Sequence, residues 1–177
     1  LKEGGTGTAS ESEEQPSGRP HMYESGTPNT VGIAGLGAGV RYLMSRTLAD
    51  TQTHKKTLVD HLLDGLAAIP GVTVYGPKDR TRRLSVVPFN IEGWSPDEVG
   101  AVLDQAFDIK VRTGLHCAPA AHKVIGTYPH GSVRASVGCF NTLTEIDFLL
   151  SALKKIAGTG PSRLAADKAQ SSPTTAH

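Results

Sequence analysis

Cysteine, aromatic residues and long apolar runs are all scarce in this sequence. Two cysteines among 177 residues are too few for a disulfide-stapled scaffold, which predicts a reducing, cytoplasmic compartment. No apolar run approaches the roughly 18 residues that a transmembrane helix needs, so no membrane partner is expected. Eighteen Lys and Arg against seventeen Asp and Glu leave a net charge of +1. A dedicated nucleic-acid binder would carry a basic excess, and none is expected here.

The chain begins with Leu1 rather than methionine and enters directly on a glycine-rich phrase. Its length corresponds to one domain or slightly more. We therefore expect a fragment or a processed chain, in which case the length describes a piece of a larger protein.

Hydrophobic periodicity predicts a mixed α/β fold between residues 53 and 157. The order of elements is helix, strand, strand, helix, strand, short helix, strand, helix. This order predicts an α+β domain, a sheet with helices on one face. Pro88 interrupts the second strand and favours an edge strand or a bulge. Periodicity ends after Gly158, which predicts a disordered tail over residues 158–177.

Cys117 is the side chain with the greatest chemical potential. It follows a predicted strand at residues 109–112 and stands five residues after Arg112. A nearby cation favours the thiolate, which is the nucleophilic form, whereas a small buried and inert cysteine is the alternative. Arg134 is flanked by apolar residues in another predicted strand, where an arginine marks either a paired charge or an anion site. Cys139 has no comparable neighbours and is predicted to be structural.

Metal and phosphate sites are not supported by spacing alone. The histidines and cysteines between residues 116 and 139 form no compact ligand pair, so no metal is expected. Two glycine-rich phrases, residues 4–7 and 25–27, could present backbone N–H groups to a phosphate. Neither matches a phosphate-binding or dinucleotide-binding motif, and by themselves both are typical of turns.

Two stretches, residues 23–41 and 109–147, resemble the cysteine desulfurase group of the class V aminotransferase family. The segments that carry the resemblance are YESGTPNTVGIAGLGAG, VRTGLHCAP and VRASVGCFNTLTEID. They occur in the family's order, and the resemblance extends over about residues 1–157. It implies the C-terminal domain of a fold-type I transferase that uses pyridoxal 5'-phosphate (PLP) and acts as a homodimer.

The resemblance also implies a reaction and its residues. Such enzymes take sulfur from L-cysteine and release L-alanine, leaving a persulfide on a cysteine that corresponds to Cys117. Arg134 would bind the substrate carboxylate, and Arg112 would line the same pocket. Gly26 and Thr27 would reach the PLP phosphate, typically that of the partner subunit.

Domain organisation follows from the same resemblance. Residues 1–29 would be the trailing, incomplete segment of the large PLP-binding domain. Residues 30–157 would be a helical connection and the small domain.

The family's Schiff-base lysine has no counterpart with the expected setting. Lys55 and Lys123 each follow a histidine, but neither has the strand and turn that precede that lysine in the family. PLP would therefore be bound mainly outside this chain, and the chain alone is predicted to be inactive. A selenocysteine lyase or class V aminotransferase remains an alternative. Another is a non-catalytic small domain that carries sulfur or binds a sulfur-acceptor protein.

Overall fold

The computed structural model describes residues 3–7 and 9–170, and the chain divides into two compact units. One unit extends to Leu48, and the other begins at Ala49. The first unit contains helix α1 (Thr30–Arg46). The Asn29 side chain caps this helix by accepting a hydrogen bond of 2.9 Å from the Gly32 N–H. No residue of α1 is buried.

The second unit contains three antiparallel strands, four α-helices and a short 3-10 helix (Arg80–Arg82) within the described residues. The sheet has the order β1 (Val72–Val74), β2 (Val86–Ile91), β3 (Val133–Ser136). The helices are α2 (Leu48–Ala67), α3 (Pro96–Phe107), α4 (Pro119–Val124) and α5 (Leu143–Gln170). The mixed helix and sheet fold predicted from the sequence is thereby confirmed.

Alternate residues of the two longer strands are buried with the helices in one core. Val87, Phe89 and Ile91 of β2 point into this core, as expected from the period of two along a strand. Ser95 and Glu98 form a capping box at the start of α3. The other buried members include Leu58, Leu62 and Leu66 of α2, Leu103 of α3, Val133 and Ala135 of β3, and Leu150 and Leu153 of α5.

Pro88 lies in the central strand, so the prediction of an edge or a bulge is wrong. The Pro88 carbonyl accepts a hydrogen bond from the Tyr75 N–H, at 2.9 Å, on the β1 side. In an antiparallel strand a residue's N–H and C=O point the same way, so the missing N–H also faces Tyr75. Because β1 ends at Val74, one residue earlier, the proline removes no bond within the sheet.

Residues 109–112, predicted as a strand, contribute a single bridge. Only Arg112 pairs with the sheet, opposite Arg134. Ile109 donates its N–H to the Leu103 carbonyl at 2.9 Å, which uses this backbone to end α3. The start of this segment therefore terminates α3, and only its last residue pairs with the sheet.

Helix α5 extends into the segment predicted to be a disordered tail. Its backbone is helical to Gln170 with one break at Gly160, where φ is 59° and ψ is 146°. Helix-forming residues dominate residues 163–170 (RLAADKAQ), which outweighs their lack of an apolar period. The rest of the predicted tail, residues 171–177, lies outside the described residues. The boundaries at residues 29 and 157 stay predictions.

Candidate active site

Cys117 lies in a tight loop between the Arg112 bridge and α4. The backbones of His116 and Cys117 are both left-handed, with φ of 50° and 59°. The loop closes through a hydrogen bond of 2.8 Å from the Ala118 N–H to the Leu115 carbonyl. Left-handed conformations cost non-glycine residues roughly 1 kcal/mol each and concentrate at functional sites. The side chain that this loop presents, Cys117, is free and exposed.

Two arginines share one backbone bridge beside this loop. Arg112 and Arg134 exchange both hydrogen bonds, at 3.2 and 2.7 Å, so their side chains leave the same face. The Arg112 Nη2 lies 4.0 Å from the Cys117 Sγ. The structure thus brings together the three residues of the second unit that the sequence singled out.

Two glycines hold the cysteine loop against the start of β3. Gly114 and Gly131 have φ of 92° and 83°. A Cβ on Gly131 would lie 2.1 Å from the carbonyl carbon of Gly114, which only glycine permits. The neighbouring Ser132 N–H donates to the Gly114 carbonyl at 3.1 Å. The position of the loop is therefore fixed by backbone contact.

His116 is half-buried beside the cations of the site. Burial, together with the charges of Arg134, His122 and Arg112, lowers the pKa of His116, which the Ser132 backbone opposes. The ring is therefore neutral at physiological pH. Its centroid lies 5.6 Å from that of His122.

His122 is buried under the loop and has a fixed partner. Its Nδ1 lies 2.7 Å from the Thr127 hydroxyl, five residues later. Sequence reasoning missed the roles of His122, Thr127 and Gly131. Their order along the chain does not show that a turn after α4 folds back beneath the cysteine loop.

Two buried polar atoms near this loop have no hydrogen-bond partner among the described residues. They are the Ser132 hydroxyl and the Arg134 Nε. Polar atoms removed from water are costly unless they are bonded, so such atoms suit a polar ligand. Together with the two guanidinium groups, they can accept an anionic group such as a carboxylate.

Gly26 and Thr27 lie in the first unit, where two glycine-rich loops meet. The Gly26 N–H donates to the Gly5 carbonyl at 2.6 Å. A Cβ on Gly7 would come within 2.4 Å of the Gly26 carbonyl oxygen. Beside them is a cavity of about 480 Å³, lined mainly by glycines and hydroxyl-bearing residues: Gly4, Gly5, Thr6, Gly7, Ser10, Ser12, Glu13, Gly26 and Thr27.

The other residues that the sequence singled out are not part of the Cys117 loop or of the Arg112–Arg134 bridge. Cys139 is free and half-buried. Lys123 places its Nζ 5.0 Å from the centre of the Tyr128 ring, and Lys55 lies on α2. Across residues 3–7 and 9–170, no group of three or more His, Cys, Asp or Glu could hold a metal ion. Within the same residues, no helix is long and apolar enough to cross a membrane.

A family model for class-V aminotransferases matches residues 1–149. The chain belongs to the class-V aminotransferase family. It is 39% identical over 137 residues to the cysteine desulfurases of Escherichia coli O127:H6 and Salmonella agona. Each alignment covers 77% of this chain and 32% of the relative, so the chain spans about a third of its relatives' length.

Solved structures give the same result. A cysteine desulfurase from Thermococcus onnurineus superposes with a TM-score of 0.72 at 35% identity, over 82% of this chain and 34% of that one. The cysteine desulfurase CsdA from Escherichia coli, in an S-sulfonic acid form, has a TM-score of 0.69 at 26% identity, over 80% and 34%. The resemblance to cysteine desulfurases that the motifs indicate is confirmed.

Proposed function

We propose that this chain supplies the sulfur-accepting half of a cysteine desulfurase active site, with Cys117 as the nucleophile. The observation that carries the proposal is the Arg112 Nη2 at 4.0 Å from the Cys117 Sγ, beside the Arg112–Arg134 bridge. The guanidinium at this range can donate a hydrogen bond to the sulfur. The exposure of Cys117 leaves its sulfur open to a substrate.

The two arginines would orient L-cysteine through its carboxylate. Arg134 is the better anchor, because it is half-buried. A carboxylate could be held by two parallel bonds from its guanidinium. Arg112, on the same face and nearer the thiol, would keep the substrate sulfur within reach of Cys117.

The transfer balances without an outside oxidant. The Cys117 thiolate attacks the substrate sulfur, so an S–S bond forms as the C–S bond breaks. The departing carbon gains a proton and becomes the methyl group of L-alanine, and Cys117 becomes a persulfide. Because the His116 ring is neutral, it adds no positive charge beside the two arginines. Their guanidinium groups are then the cations that face the thiolate and the carboxylate.

The glycine-rich cavity of the first unit fits the phosphate of PLP. Gly26 leaves room for the group, and the exposed Thr27 could donate its hydroxyl to a phosphate oxygen. Glu13 is the charged exception in the lining and is itself exposed. PLP supplies the electron withdrawal that makes the substrate C–S bond cleavable. The family supports a homodimer, with Gly26 and Thr27 serving the partner's cofactor, and a cytoplasmic setting.

The domain organisation stays part of the proposal. Residues 1–29 would complete a large cofactor-binding domain, and residues 30–157 would form the connection and small domain. Lys123 lies with its Nζ 5.0 Å from the centre of the Tyr128 ring, and Lys55 lies on α2; both positions support the proposal that the Schiff-base lysine is not one of them. We infer that the chain alone does not turn over L-cysteine.

A chimera tests the proposal. This chain replaces the matching third of the Escherichia coli relative, and alanine and sulfide released from L-cysteine are measured. The Cys117→Ala chimera should lose activity at least about a hundredfold, and the Cys139→Ala chimera should retain it. An active Cys117→Ala chimera would refute the assignment. Selenocysteine and keto-acid substrates, offered to the same chimera, distinguish a lyase or an aminotransferase.

A non-catalytic sulfur carrier is the second candidate, favoured by the exposed Cys117 beside Arg112. Such a module would accept sulfur from a persulfide donor and pass it to an acceptor protein. The chain alone, treated with a low-molecular-weight persulfide, should then gain one sulfur at Cys117 by mass spectrometry. Sulfur found instead on Cys139 would exclude this role.

A further inference from the structure

A basic groove lies on the second unit between α2 and the segment that precedes β2. Its volume is about 330 Å³. None of the residues assigned to the sulfur-transfer site lines it. The groove is lined by Gln52, Lys55, Lys56, Val59, Asp60, Arg80, Thr81, Arg83, Leu84 and Ser85.

Positive charge in this basic groove exceeds what its own carboxylate can pair. Lys56 forms an ion pair with Asp60 at 2.5 Å. Arg80 is paired with Asp64 and lies 3.9 Å from the Asp60 carboxylate. The two remaining cations, Lys55 and Arg83, form no ion pair with any described residue. The basic groove therefore has room for further negative charge.

Arg83 is the fixed element of this surplus. Its Nε donates to the Pro77 carbonyl at 2.6 Å, which holds the guanidinium in place. Burial and the neighbouring charge of Arg80 both lower the pKa of Arg83. A cation that is partly desolvated beside another cation is unfavourable alone and is relieved by an anion. The arrangement is thus organised for an anionic ligand before it binds.

An exposed apolar side chain accompanies the cations. Leu84 is 82% exposed at the rim, and buried Val59 forms part of the wall. A free inorganic anion would need only the cations. A protein segment that carries both carboxylates and an apolar side chain would use both features, as interfaces commonly do.

We propose that the basic groove binds an acidic segment of a partner protein, with an apolar side chain of that segment seated on Leu84. Nucleic acid fits less well, because only two cations of the groove, Lys55 and Arg83, have no ion pair with a described residue, and a phosphate backbone would make no use of the exposed Leu84. The proposal does not depend on the sulfur-transfer function, since the two sites share no residue.

Binding of a short fluorescent peptide of glutamates around one leucine tests this assignment by anisotropy on the whole chain. We expect saturable binding that weakens with salt and falls about tenfold in Lys55→Glu and in Arg83→Glu. Leu84→Ser should weaken binding about threefold. Lys154→Glu, an equal charge reversal on the exposed side of α5, is the matched control and should leave binding unchanged.

Lys55→Glu keeps the test decisive if Arg83→Glu fails to fold, because Lys55 is on a helix face without a partner that the change would break. Absence of saturable binding at low salt would overturn the proposal. So would equal loss in Lys154→Glu, or equal affinity for single-stranded DNA, which would indicate general attraction of polyanions. Equal binding of a peptide without leucine would show that Leu84 does not contribute, and it would overturn the proposed partner.

Discussion

Cys117 and Cys139, on either side of β3 along the chain, have different surroundings. Cys117 is exposed, has a left-handed backbone and lies 4.0 Å from the Arg112 guanidinium. Cys139 is half-buried in the turn that begins α5, where the Asn141 Oδ1 accepts from the Gly138 N–H at 2.8 Å. One loop has strained backbone and unpaired polar atoms near it, and the other has satisfied hydrogen bonds. We infer that surroundings, and not residue type, mark the reactive cysteine.

The close backbone contact between Gly131 and Gly114 supports the Cys117 loop and not the Cys139 turn. Replacing Gly131 should therefore have the largest effect on the free energy of unfolding. Gly131→Ala adds a Cβ 2.1 Å from backbone at φ 83°, and we expect a loss of about 2–4 kcal/mol in the free energy of unfolding. Gly126→Ala, at φ 75° with nothing within 4 Å, is the matched control and should lose about 1 kcal/mol. Urea unfolding measures both, and equal losses would contradict the close contact.

Asn141 supports the turn of Cys139 and not the loop of Cys117. Asn141→Ala removes the bond from the Gly138 N–H and should cost about 1 kcal/mol in unfolding free energy. Alkylation of Cys139 should accelerate as its turn loosens, while the rate at Cys117 stays constant. A change at Cys117 of the same size would show that the two regions are coupled.

Arg112 distinguishes the electrostatics of the two cysteines. Arg112→Gln removes the cation beside Cys117 and should slow its alkylation about threefold, as expected of one exposed charge pair. The rate at Cys139 should not change, and Arg112→Lys should retain most of the Cys117 rate. Added salt should shrink the difference. An unaltered alkylation rate of Cys117 in Arg112→Gln would show that Arg112 does not influence the reactivity of this thiol.

The neutral ring of His116 gives the Cys117 region a small pH dependence. Because the folded-state pKa of His116 is lowered, the unfolded chain takes up the proton first as pH falls below about 6.5. Stability from this group is thus present at pH 7 and declines in acid, by well under about 1 kcal/mol at this partly exposed site. His116→Gln should lose less stability between pH 7 and 5 than the parent. The exposed His130→Gln serves as control, and identical acid losses in both variants would contradict the assignment.

The sequence predicted the elements of the fold better than the contacts between them. Helical spacing identified α2, α3 and α5. The motifs singled out Cys117, Arg112 and Arg134, whose roles stay predictions. The pairing of Arg112 with Arg134 joins residues 22 positions apart, a register that local patterns do not carry. The same holds for the backbone approach of Gly114 to Gly131.

Pro88 shows why a local rule can fail. The rule against proline in central strands assumes that its N–H position faces a partner strand. Here the neighbouring strand β1 ends at Val74. The nitrogen of Pro88 therefore faces Tyr75, which lies beyond the end of β1. Helix α1 shows another limit, since its exposed apolar residues were not predicted.

Competitive alkylation of the two native cysteines measures directly whether Cys117 is the more reactive thiol. The chain is treated with limiting iodoacetamide at neutral pH, and the two peptides are followed by mass spectrometry. We expect Cys117 to react at least about tenfold faster than Cys139, because it combines exposure with a neighbouring cation. Equal rates, or faster reaction at Cys139, would contradict the assignment of Cys117 as the nucleophile.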